Sequence, residues 1–118
     1  MQKSYRETIS FEERKKEATK VIAKYPTRIP VIIEKLASET ALPVIKKSKF
    51  LCPADMEANN LMLIVRKKLK LSSAEALFMF VKGKVLVPSS SLLGELYVKY
   101  KDEDSYLYIN YCSENVFG

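Results

Sequence analysis

The 118-residue chain has no histidine, no tryptophan and only three glycines, Gly83, Gly94 and Gly118. Without histidine there is no Ser-His or Cys-His nucleophilic pair, no imidazole base and no ordinary zinc site. Glycines this far apart cannot assemble a glycine-rich phosphate loop. The only cysteines, Cys52 and Cys112, form no CxxC pair and sit in apolar surroundings. That reads as reduced, buried thiols in a cytosolic protein rather than a disulfide. No apolar run approaches the ~20 residues of a membrane-spanning helix. "MQKSYRETIS" has no hydrophobic signal region, so secretion is not expected. The acids of "KDEDS" lack EF-hand ligand spacing and read as a solvated turn. With no tuned acid, base or nucleophile in view, neither an enzyme nor a metal or cofactor site is expected.

What is present is ordinary for one globular domain: 47% apolar and 29% charged residues. Twenty Lys and Arg against fourteen Asp and Glu leave a net charge of +6. The basic residues are dispersed as on a solvated surface. They favour acidic partners without choosing among them. They follow no DNA- or RNA-motif spacing, so a nucleic-acid partner is not expected.

The first helix starts at "SFEE", with Ser10 as N-cap and Glu13 completing a capping box. Phe11, Ala18, Val21, Ile22 and Tyr25 recur at helical spacing until Pro26, with Val21 and Glu17 at the margin of the buried stripe. "RIPVIIEK" is a strand, apolar on both parities, and needs cover on both faces. "KSKFLCP" is a short strand stopped by Pro53. "MEANNLMLIVRKKLKL" is a second helix with a stripe of Ala58, Leu61, Ile64, Val65 and Leu69. "ALFMFVKG" is a strand ending in a KGK turn, "SSLLGELYVKY" a short helix, and "YLYINYC" the last strand. In that strand Leu107, Ile109 and Tyr111 take one face, and Tyr106 and Tyr108 the other. Two strands, a crossover helix and two further strands, the last beside the first, make an α+β, ubiquitin-like β-grasp with an added N-terminal helical segment. Residues 1–26 form that segment and 27–118 the β-grasp domain with its tail. One helix covers each sheet face.

"FEERKKE", "YPTRIPVIIEK", "KKSKFLCPADM", "LMLIVRKKLKL", "ALFMFV", "YKDEDSYLYINY" and the ending "ENVFG" together resemble the autophagy-related protein eight family. That family includes GABARAP and the microtubule-associated-protein light chains. The resemblance runs from about Tyr5 to Gly118. It implies a modifier whose terminal carboxylate is exposed by a processing cysteine protease and passed through E1-like and E2-like enzymes. The carboxylate is then joined to phosphatidylethanolamine on the autophagosome membrane. Gly118 is the conjugated residue, and the covalent lipid is the only non-protein group implied. The protein would divide between cytoplasm, autophagosome membrane, and vacuole or lysosome.

The resemblance also implies docking of cargo receptors and adaptors carrying aromatic-x-x-aliphatic motifs. Its aromatic pocket carries over to Glu17, Val21, Pro30, Ile32, Lys49, Leu51 and Tyr106, and its aliphatic pocket to Phe50, Pro53, Met56, Leu61 and Ile64. Arg28 and Lys47 would meet acids flanking such motifs. Phe78 and Phe80 match a pair used by the processing and activating enzymes. Without the resemblance most of these rank as core. Strand parity adds its own reason for two pockets: neighbours on a strand face opposite ways, and an offset of three is odd. Lys46, Ser48, Glu57, Ser105 and the "VKGKVLVPSSS" loop depart from the family pattern. Two other readings stay open beside the modifier: an unconjugated β-grasp peptide-binding module, and a charge-driven nucleic-acid binder.

Overall fold

The computed structural model describes residues 3–114. Their elements are α1 (Tyr5–Thr8), α2 (Phe11–Lys24), β1 (Arg28–Lys35), β2 (Lys49–Pro53), α3 (Ala58–Lys68), β3 (Phe78–Val81), β4 (Val85–Leu86), α4 (Leu93–Tyr100) and β5 (Leu107–Cys112). The strands form one sheet in the order β2-β1-β5-β3-β4. β5 runs parallel to β1, and the other pairings are antiparallel.

The two-sided apolarity of β1 sets the layers. Ile29, Val31 and Ile33 bury with Leu61 and Val65 of α3, Leu93 and Leu96 of α4, and Leu107, Ile109 and Tyr111 of β5. On the opposite face Ile32 joins Ala18 of α2, Tyr106 and Tyr108. Each residue serves the face its parity assigns. Pro30 is tolerated in this central strand because its missing donor falls before pairing with β5 begins at Val31–Leu107.

Four features differ from expectation. α1 was not foreseen. Its cap is the complete box: Ser4 N donates to Glu7 Oε1 at 2.9 Å, and Glu7 N donates to Ser4 Oγ at 3.2 Å. At Ser10 only half of the expected box is seen, with Glu13 N donating to Ser10 Oγ at 3.2 Å. Phe11 and Tyr25, expected in the buried stripe, are 39% and 40% exposed. They stand at the two ends of α2, and the buried residue is Ala18 in its middle. β4 adds a strand, formed because Lys82 and Gly83 both take positive φ, 55° and 68°, as a tight hairpin turn requires. A two-residue strand leaves too little pattern to read.

The weak cap at Glu57 is compensated by backbone. Ala58 N and Asn59 N donate to Ser91 O and Ser89 O at 2.8 and 2.9 Å. Reciprocally, Leu93 N and Gly94 N donate to Met56 O and Ala54 O at 2.9 and 2.8 Å. The segments leading into α3 and α4 therefore satisfy the first N–H groups of each other's helix. The approach is tight: a Cβ on Gly94 would lie 2.9 Å from Ala54 O and 3.0 Å from Ala54 Cβ. Gly94→Val is expected to cost about 1–3 kcal/mol by forcing these segments apart. The check is a lower urea midpoint at unchanged m value.

Ser105, a departure from the pattern that the resemblance implies, takes the left-handed conformation, with φ 74°. The turn is held by Ser105 N donating to Asp102 O at 2.9 Å and Tyr97 OH donating to Ser105 O at 2.7 Å. Lys15 Nζ adds a bond to Ser105 Oγ at 2.8 Å. These bonds offset the cost of a side chain in that region.

Candidate functional site

β2 is an edge strand, and the hydrogen-bond alternation says which of its groups are open. Ile33 N donates to Ser48 O at 2.8 Å and Ala54 N to Thr27 O at 3.0 Å. In the same register Val31–Phe50 and Ile29–Cys52 are the hydrogen-bonded pairs, so Lys49 and Leu51 turn their N–H and C=O groups outward. Arg28 Nη1 already donates to the outward Leu51 carbonyl at 3.3 Å. This is a template for an added strand.

The side chains of β2 divide by face. Lys49 and Leu51 stand opposite Ile32 and Pro30 in the register. They lie on the face covered by α2. Pro30, Ile32 and Tyr106 are buried and form an apolar floor; Glu17, Val21 and Leu51 are half-buried around it, and Lys49 is exposed. Lys49 Nζ donates to Glu17 Oε1 at 2.6 Å, bridging β2 to α2. The bond from Lys49 holds the Glu17 carboxyl below its ordinary range, against the effect of burial, and the same bond pushes the Lys49 ammonium up.

Tyr5 completes this pocket and was missed by the sequence reading. Its ring meets Tyr106 edge-on at 5.5 Å, and its hydroxyl donates to Glu17 Oε2 at 3.0 Å. Tyr5 N donates to Glu34 Oε2 at 2.7 Å, fixing α1 to the sheet. The S-x-x-E spacing of Ser4 and Glu7 was the available signal for a helix there.

On the α3 face, Phe50 and Met56 are half-buried, Leu61 is fully buried, and Ile64 is 38% exposed. Pro53, expected with them, is half-buried at the end of β2 with the parity of Leu51, because an offset of three from Phe50 is odd. Phe50 packs against the main core, with Lys68 Nζ 5.6 Å from its ring centre. Lys47 is exposed just ahead of β2, and Arg28 is exposed opposite Pro53 at the far end. The two cations therefore flank opposite ends of the edge. Phe78 is half-buried and Phe80 fully buried, together on one parity of β3, away from this edge.

Gly118 lies outside the described residues. The base of the tail is anchored by Glu39. Its Oε1 accepts from Ser113 N at 2.6 Å and Ser113 Oγ at 2.8 Å, and its Oε2 from Ala41 N at 2.6 Å and Leu42 N at 2.8 Å. Burial pushes this carboxyl up, but the bonds from Ser113, Leu42 and Ala41 together outweigh it and leave it below its ordinary 4.5. A depressed carboxyl stabilises the fold fully above its unfolded value, and the contribution is lost as pH falls through the lower folded value. Urea midpoints of the wild type and Glu39→Gln are therefore expected to differ most above about pH 4.5 and to converge below it.

Both cysteines are free and buried, and burial pushes the Cys52 thiol up to about 11. Such a thiol is not a nucleophile at neutral pH.

Comparison with known proteins agrees with this fold. Residues 13–118 match the family model described as "Autophagy protein Atg8 ubiquitin like". The chain is 42% identical over 118 residues to Autophagy-related protein 8 of Mycosarcoma maydis, covering 100% of this chain and 98% of that protein. It is 46% identical over 108 residues to Autophagy-related protein 8e of Arabidopsis thaliana, covering 92% and 87%. The crystal structure of Trypanosoma brucei ATG8 matches it with a TM-score of 0.87 at 34% identity, over 100% of both chains. The fold is thus ubiquitin-like, and the chain belongs to the Atg8 family of ubiquitin-like autophagy proteins.

Proposed function

We propose that this chain acts as a conjugated tag rather than a catalyst. Its Gly118 carboxylate is exposed by a cysteine protease, activated by E1-like and E2-like enzymes, and joined to phosphatidylethanolamine on autophagosomal membranes. Residues 1–26 serve as an accessory segment on the 27–118 domain. Two acyl chains, at about 0.8 kcal/mol per buried methylene, hold such a domain stably on a bilayer. From there it recruits cargo receptors and adaptors with aromatic-x-x-aliphatic motifs. It moves between cytoplasm and autophagosome, and reaches the vacuole or lysosome with its cargo.

The observation that supports the docking half is the open edge of β2 between apolar side chains on opposite faces of the sheet. An added strand bonds to the outward groups of Lys49 and Leu51. Its aromatic residue displaces the Lys49–Glu17 contact to reach Ile32 and Tyr106, and the residue three positions on turns to Phe50 and Met56. Arg28 and Lys47 take acidic flanks. Loss of the exposed Lys49–Glu17 pair costs little, because such pairs contribute about 0–1 kcal/mol.

Two experiments test this reading. Incubation with E1-like and E2-like enzymes, ATP and phosphatidylethanolamine liposomes is expected to yield a lipidated species; its absence under conditions that lipidate a family homologue overturns the tag. For docking, Phe50→Ala is expected to weaken an aromatic-x-x-aliphatic peptide by about 1–3 kcal/mol in calorimetry. Unchanged affinity in a folded variant removes Phe50 from the site.

A further inference from the structure

Past the end of β2 an open groove of about 570 Å³ runs between Ala54 and α4, lined by Ala54, Asp55, Leu92, Gly94, Glu95 and Val98. Val98 is 78% exposed and Leu92 36% exposed, side by side with this groove. The floor is the backbone contact of Gly94 N to Ala54 O at 2.8 Å, which a larger residue at 94 would obstruct. Asp55 and Glu95 are exposed at the rim, and neither takes an ion pair among the described residues. On a chain of net charge +6 this is a local acidic frame around apolar side chains.

The groove lies beside Met56: Met56 O accepts from Leu93 N at 2.9 Å, and Leu93 falls between the groove residues Leu92 and Gly94. The direction of a docked peptide also follows. Its aromatic residue meets Lys49 and Leu51, and its aliphatic residue meets Phe50 and Met56. The peptide therefore runs the same way as β2, and its next residues reach Ala54 and Asp55.

We infer that this groove binds the segment just downstream of the aromatic-x-x-aliphatic motif, and that it selects one Lys or Arg together with one aliphatic residue. The cation meets Asp55 and Glu95, and the aliphatic side chain covers Leu92 and Val98. This subsite rests on the docking mode proposed above. It has the opposite charge preference from the Arg28 and Lys47 flanks, so it discriminates among partners that share the same core motif.

The test compares a core peptide with three versions extended downstream: Lys plus Leu, Asp plus Leu, and Gly-Ser. A tethered second contact acts at high effective concentration, so the Lys-plus-Leu extension is expected to tighten binding about tenfold over Gly-Ser, and Asp plus Leu to give less. Asp55→Lys with Glu95→Lys should remove the gain and leave the core peptide's affinity unchanged. Val98→Asn should also reduce it, a result that charge attraction alone does not predict. All three positions are exposed, so the variants keep the core. If the core peptide binds but the extensions are equivalent, the groove assignment is overturned alone. A core peptide that fails to bind overturns the docking reading and this one with it. Concentration-dependent self-association lost in Val98→Asn, without an extension effect, would assign the groove to a second copy and also overturn it.

Discussion

Gly118→Ala is expected to abolish lipidation while leaving fold and peptide binding intact. A carboxylate handed between enzymes must enter narrow channels and present its carbonyl to an attacking thiolate, then to an amine. Glycine adds no Cβ beside that carbonyl and allows backbone angles closed to alanine. A misplacement of about 1 Å at a reacting centre costs on the order of a hundredfold in rate. Two successive thioester transfers and the final amide step each suffer it, so the conjugate should fall below detection in a gel-shift assay that resolves the wild-type product. Calorimetry with the core peptide serves as the control, since the proposed docking edge is β2, Lys49–Pro53. A conjugate formed at the wild-type rate would show that Gly118 is not the joined residue.

The largest stability effect is expected at Asp104, which is 1% exposed. Its Oδ2 accepts from Arg14 Nε at 2.9 Å and from the Tyr108 hydroxyl at 2.5 Å, and its Oδ1 accepts from Tyr106 N at 2.9 Å. Arg14 in turn donates to Ile9 O at 2.6 Å and Arg6 O at 3.2 Å. One carboxylate thus joins α2, the residues following α1, and β5 through Tyr108. Asp104→Ala leaves a largely buried guanidinium and a buried hydroxyl without their acceptor. Removing one partner of a buried pair typically costs about 3–5 kcal/mol, because the other charge stays desolvated. Asp104→Asn keeps the shape but loses the charge and one of the two acceptor oxygens, so it should fall between Ala and wild type. Urea unfolding measures both. A cost below about 1 kcal/mol for the Ala variant would mean that Arg14 finds water or another acceptor at no penalty. In the proposed docking mode Tyr106 floors the aromatic pocket, so the same variant should weaken the core peptide even where it remains folded.

Strand parity was the most legible feature of the chain. Ile29, Val31 and Ile33 could be set against Pro30 and Ile32 from their order alone, because a strand's side chains alternate whatever surrounds it. The division of Lys49 and Leu51 from Phe50 followed in the same way. The buried stripe of α2 was less legible: periodicity names an apolar side but not how far along the helix the sheet extends, and Phe11 and Tyr25 lie at its ends. Glu57 read as a poor cap, since the carbonyls that replace a cap belong to Ser89 and Ser91.

By itself the sequence determined the order of the elements other than α1 and β4, the two-sided character of β1 and the absence of histidine chemistry. These depend on neighbours within a few residues, or on composition. Tertiary structure alone decided that Tyr5 seats on Tyr106, that Asp104 gathers Arg14 and Tyr108, and that Glu39 holds Ser113. Most of these contacts join residues far apart in the chain, and a buried polar group takes whichever partner the packed sheet brings within about 3 Å. Local pattern carries no record of that distance.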